Sequence, residues 1–184
     1  VLWHPFGKAA HRLTTVTDVW FGRVGADYHC YITPQAVSAN GRWAVFESLS
    51  TGFTASITTG ADPGTNRVIV VDQTTDSYEL VSVSLSGAPA NGPSRLGTIS
   101  GNGRFVLFAS LASNLVINDT NNCCDVFLRD RTRGKTYRLS AAAGSQGNAD
   151  SGFSSFSGSA TLGVTLSLDG RHAAFGSLAS NLVS

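Results

Sequence analysis

The 184-residue chain has no methionine, three cysteines and only two glutamates, Glu47 and Glu79. The sequence alone cannot place two glutamates as the paired carboxylates of glycoside chemistry. Charged residues make up 14% of the chain and the formal net charge is +1, so nothing points to nucleic acid as a partner. The one basic cluster, Arg129, Arg131, Arg133 and Lys135, is interrupted by Asp130. It reads as a solvated outer strand, where charge discourages edge-to-edge pairing. No apolar run is long enough to span a membrane, and membrane insertion is not expected. Catalytic signatures are missing as well: there is no Gly-x-Ser-x-Gly elbow, His-Glu-x-x-His pair, phosphate loop or dinucleotide fingerprint. The four histidines, His4, His11, His29 and His172, are scattered, and His172 falls where a packed ring is expected. An enzyme is therefore not the first expectation. The absence of methionine and the opening Val1 read as a processed product, a recombinant piece or a fragment.

What the chain does have is a repeat. Ser-Leu-Ala-Ser-Asn-Leu-Val occurs at Ser110 to Val116 and again at Ser177 to Val183. Upstream of each copy lies a hairpin signal, Ser100-Gly-Asn-Gly-Arg-Phe and Ser167-Leu-Asp-Gly-Arg-His, and a third such signal stands at Ser38-Ala-Asn-Gly-Arg-Trp. Gly41, Gly103 and Gly170 are spaced by 62 and 67 residues. That period is longer than a helical-hairpin repeat and close to a four-stranded propeller blade with one long loop. The Asn-Gly and Asp-Gly pairs predict type I′ hairpin turns with a strand on either side. Short apolar runs follow, Trp43 to Phe46, Phe105 to Phe108 and His172 to Phe175, then strands at Arg67 to Asp72, Ser77 to Ser82, Asp125 to Asp130 and Lys135 to Ser140. No stretch sustains a helical period, so the chain is expected to be all-β, built of four-stranded antiparallel blades, about three per chain.

Ser-x-Asx-Gly-Arg, an apolar strand, Ala-Ser-Asn-Leu-Val, Asp-Thr-Asn and Asp-Val-Phe-Leu-Arg-Asp together resemble the WD40-like (PD40) repeats of TolB-like β-propellers, over nearly the whole chain. The resemblance implies a mostly six-bladed scaffold for protein contacts, secreted or periplasmic in bacteria. Val1 to Thr14 can be laid on Val126 to Ser140. The expected units are then a partial blade at 1–32 with the third and fourth strands, blades at 33–84 and 97–140, and a partial blade at 163–184 with the first two strands. Three blades do not comfortably close a ring. Either two copies join as a six-bladed homodimer through their half blades, or the chain belongs to a longer one.

Several residues are candidates for chemistry. Asp119, Asn121 and Asp125 place oxygens at spacings that suit calcium, a hard cation taking six to eight oxygen ligands. The same residue types cap turns through side-chain to backbone hydrogen bonds. The corresponding stretch of the first unit carries Arg67 where the closing Asp stands. Cys30, Cys123 and Cys124 allow three disulfides, Cys30 with Cys123, Cys30 with Cys124, or a strained vicinal pair, and any of them leaves one thiol over. Free thiols, and a transition metal with His29, also stay open. Phe153 and Phe156 lie among the small residues of a long loop and are expected either to meet a protein or carbohydrate ligand or to plug gaps between blades. Asn114 and Asn181 are read as structural amides, and Arg42, Arg104 and Arg171 as supports of the repeat that pair with Asp72 or Asp130. The first expectation is a non-catalytic binding module outside the cytoplasm. The alternatives are a hydrolase or lyase working at the axial channel, and a calcium-stabilised structural repeat.

Overall fold

The computed structural model describes residues 30–31, 33, 35–49, 65–142, 144–153 and 163–183, and among them there is no helix. Strands β1 (Cys30–Tyr31), β2 (Trp43–Ser48), β3 (Arg67–Asp72) and β4 (Ser77–Leu80) form one antiparallel meander in that order. Strands β5 (Ser94–Ile99), β6 (Phe105–Ser110), β7 (Asp125–Asp130) and β8 (Lys135–Arg138) form a second. A small hairpin, β9 (Ala141–Ala142) and β10 (Ser145–Gln146), leads on to β11 (Val164–Leu166) and β12 (Ala173–Phe175), the first two strands of a third unit. The described residues are all-β, and their antiparallel sheets of two to four strands do not close a ring. The first strands begin at Cys30 and Ser94, three residues ahead of the expected unit starts. The outer strands stop at Leu80 and Arg138, two residues short of the expected ends. There Ser82 and Ser140 turn their hydroxyls to the backbone amides of Val68 and Val126, at 3.1 and 3.0 Å.

The turns differ from the type I′ expectation. Only Gly41, Gly103 and Gly170 have positive φ, while Asn40, Asn102 and Asp169 do not. The Gly amide closes each turn onto the Ser carbonyl, at 2.9, 2.8 and 2.9 Å in the three units. The result is the longer connection in which a type I turn runs into a left-handed glycine. The reason lies in the Asx side chain. Asn40 Oδ1 accepts from Ser38 Oγ (2.8 Å) and Arg42 N (3.1 Å), and Ser38 Oγ accepts from Trp43 N (2.9 Å). The same set recurs at Ser100, Asn102 and Arg104, and at Ser167, Asp169 and Arg171.

Blade packing follows the period of two along each strand. Val45, Val68 and Val70 face the second blade and meet Ile99, Val106, Phe108 and Phe127. On the other side of the second blade, Leu107 and Val126 meet Leu166, with Phe105, Val164 and Phe175 at the margin. The first strands of the units stand together: Ile99 N donates to Gln35 O at 3.1 Å, and Thr165 Oγ1 to Gln35 Oε1 at 2.7 Å. The short turns gather at one end of the blades, and the longer connections, including those after Ser110 and Arg138, gather at the other.

Candidate functional site

At the turn end the side chains support the scaffold. Arg42 pairs with Asp72 through Nε (3.1 Å) and Nη2 (2.7 Å), and Arg104 with Asp130 at 3.0 and 2.7 Å, as expected from the repeat. Arg104 holds the Asp130 carboxyl down at about 2, and Arg42 holds Asp72 well below the usual carboxylate range. A carboxylate with a lowered folded pKa stabilises the fold above its unfolded pKa, and that contribution is lost as pH falls through the folded value. Thermal melts from pH 5 down to pH 2 are therefore expected to show a stability loss below about pH 4 that is shallower in Asp130→Asn. An equal slope in both proteins would deny the pair that role.

Trp43 lies between the guanidinium of Arg42 at 4.6 Å and that of Arg131 at 4.1 Å. The basic cluster is not a solvated outer strand throughout: Arg129 is half-buried on β7, and the Arg131 side chain is only 10% exposed and binds Glu79 through Nε (2.9 Å) and Nη2 (2.7 Å). Trp43, Glu79 and Arg131, with Asn102, Gly103, Arg104 and Thr132, line an open cleft of 230 Å³. Each of its guanidiniums already has a carboxylate partner, so the cleft has no spare charge for a ligand.

The predicted calcium loop sits at the opposite end. Asp119 and Asp125 are brought together, Asp125 buried and Asp119 half-buried with its side chain 5% exposed, and Arg138 Nη1 reaches their carboxylates at 3.2 and 3.5 Å. Burial pushes both carboxyls up, and Arg138 pulls them back. Asn121 donates from Nδ2 to Asp125 Oδ2 (3.0 Å) and to Gly147 O (2.8 Å), while its Oδ1 accepts from Cys123 N (3.1 Å). The cation set against these oxygens is the Arg138 guanidinium. Among the described residues no group of three His, Cys, Asp or Glu side chains comes together. In the first unit the exchange is complete, with Arg67 at the place of Asp125 and Leu80 at that of Arg138.

Cys123 and Cys124 are both free, and Cys124 is buried, which pushes its thiol far up. Of Cys30 only the strand position opposite Ser48 is described. Phe156 lies outside the described residues. Phe153 is half-buried and does meet a charged group: the Arg95 guanidinium stands 5.7 Å from its ring centroid. With the Asn66 amide oxygen turned toward it, Arg95 donates Nε at 3.0 Å and Nη2 at 3.3 Å, and Asn66 O accepts from Ser94 N at 2.8 Å. Glu47 lies beneath, buried, accepting from the Leu96 amide; burial pushes its carboxyl up and Arg95 draws it down. Its Oε2 has no hydrogen-bond partner among the described residues.

This arrangement at Glu47, Asn66 and Arg95 was not legible from sequence. It depends on a bulge in β5, where pairing skips from Arg95 to Thr98 and Leu96 takes a φ of 61°. A bulge re-aims the side chains beside it. The one available signal was alignment of the first strands, which sets Leu96 against Gly163, also at positive φ. The repeat amides proved structural. Asn114 Oδ1 accepts from Asn91 N (3.1 Å) and Asn181 Oδ1 from Asn148 N (3.0 Å), inside matching Asn–Asn clamps.

No family model matches the chain, and no curated protein matches it in sequence. Among solved structures it is similar to TolB from Acinetobacter baumannii, at 15% identity and a TM-score of 0.39. The likeness covers 83% of this chain and 32% of that one, and it transfers no residue's role.

Proposed function

We propose that the protein is a propeller-type binding module outside the cytoplasm, taking a protein or carbohydrate ligand at its long-loop end. The observation that carries this reading is the exposed Arg95 guanidinium, held along one edge by buried Asn66 and set against Phe153. A guanidinium fixed in this way loses little freedom when a ligand arrives. The site lies where the long connections gather, as binding surfaces on rigid β scaffolds commonly do. The extracytoplasmic address rests on the resemblance of the repeats alone.

The test is a panel of immobilised peptides and oligosaccharides, probed with the parent protein, with an Arg95→Ala, Phe153→Ser double variant, and with Tyr137→Ser on the outer strand as control. We expect every ligand bound by the parent to lose at least about tenfold in the double variant and to be retained by the control. Ligands held equally by all three would place the binding face elsewhere. The hydrolase or lyase reading has one observation in its favour, the buried Glu47 with a raised pKa and an unpartnered oxygen. Turnover of a bound oligosaccharide that Glu47→Gln abolishes while binding persists would replace the binding module with an enzyme.

A further inference from the structure

Successive turns are joined by a directional rule. Ala39 N donates to Gly101 O at 2.9 Å, and Gly101 N donates to Leu168 O at 2.7 Å. A second rule runs the same way: the ring after the Arg of one unit fills the space over the turn glycine of the next, Trp43 over Gly103 and Phe105 over Gly170. Each rule leaves two unused halves. Among the described residues Leu168 N has no acceptor and Ala39 O has no donor. Gly41 has open space among the described residues where a Cβ would stand, and the His172 ring, at the repeat position of Trp43 and Phe105, is exposed. The duplicated heptapeptide acts as an internal control. Leu115 is 1% exposed, whereas Leu182, the same residue in the second copy, is half-buried, and Val183 is 84% exposed where Val116 packs on the core. The residues are identical and only their cover differs.

We propose that the bare face of the third unit docks on the first unit of a second copy of this chain, with Leu168 N donating to Ala39 O and His172 filling the space over Gly41. Donor meets acceptor and ring meets open space, repeating the contacts that already join the three units. The contact is head to tail, and two copies related by a two-fold axis satisfy it twice and close the ring. Six units is within the blade number that propellers use. Leu168, Leu178 and Val183, exposed at 59%, 60% and 84%, are the apolar groups beside the turn and strands that docking would draw from water.

The test is molar mass by light scattering over roughly a hundredfold range of protein concentration, with two variants alongside the parent. Leu168 holds the second position of a type I turn, where proline is favoured, so Leu168→Pro keeps the turn and deletes the donor. His172→Glu sets a charge over Gly41 while leaving the exposed side of a single chain undisturbed. The expected result is a two-chain mass for the parent and a dissociation constant raised at least about tenfold in each variant, with unchanged circular dichroism. A one-chain mass at every concentration would overturn the proposal. So would a dimer that neither variant weakens, or a single chain whose Leu168 amide is protected from hydrogen exchange by its own residues.

Discussion

Arg138→Met is expected to destabilise the protein by about 3–5 kcal/mol, the range seen when one partner of a buried ion pair is removed. Arg138 is 13% exposed and stands between Asp119 and Asp125, which are 5% and 0% exposed. It also donates to Gln146 Oε1 at 2.9 Å, and Gln146 in turn holds Thr120, so the middle of the connection from β6 to β7 is tied to this guanidinium. Methionine keeps the bulk and removes the charge, leaving two buried carboxylates facing each other. Both carboxyls are already pushed up by burial, and without Arg138 they rise further. A carboxyl whose folded pKa exceeds its unfolded one destabilises the fold above that folded value, and the penalty fades as pH falls toward the unfolded one. The deficit of the variant, measured by urea unfolding, should therefore shrink as pH is lowered from 7 toward about 4. A deficit independent of pH would mean that the cost is one of packing. If calcium restores the variant and leaves the parent unchanged, the loop accepts a metal ion only once the guanidinium is gone.

Gly103→Ala is expected to cost about 2–4 kcal/mol, combining a left-handed backbone with overpacking. Gly103 has a φ of 73°, and a Cβ there would meet the Trp43 ring, with Cγ and Nε1 both at 2.8 Å. The indole cannot swing aside readily, because the guanidiniums of Arg42 and Arg131 both stand against it. Gly41→Ala supplies the comparison: φ is 70°, the turn is the same, and none of the described residues lies within 4 Å. It should cost only the conformational part, about 1–2 kcal/mol. Equal losses in the two variants, read from denaturant midpoints, would show that the blade seam adds nothing at this position.

Much of the fold was legible because its signals are local and repeated. The Ser-x-Asx-Gly-Arg unit holds its own hydrogen bonds within six residues, so three copies announce three hairpins before any tertiary contact is known. The pairing of Arg42 with Asp72 was legible for the same reason, since a period of about 65 residues brings each partner round again. The turn type was not. Asn-Gly suits a type I′ turn, and only the serine hydroxyl and the asparagine carbonyl acting together select the longer connection. The exposed His172 was missed because its environment depends on which face is covered, and sequence position says nothing about cover.

The candidate sites divide along the same line. Spacing brought Asp119, Asn121 and Asp125 into one loop, and the structure does gather them. That a guanidinium stands against them follows from Arg138, thirteen residues beyond Asp125 on another strand. Arg95, Asn66 and Glu47 carry no motif, and the bulge at Leu96 and the seam between two blades bring them together. By itself the sequence determined the described hairpins and where their turns fall, because those follow from alternation and from hydrogen bonds that close within a few residues. The tertiary structure alone decided which charges meet, which identical heptapeptide is buried and which is bare, because burial and Coulomb contact depend on distances between blades that no local pattern encodes.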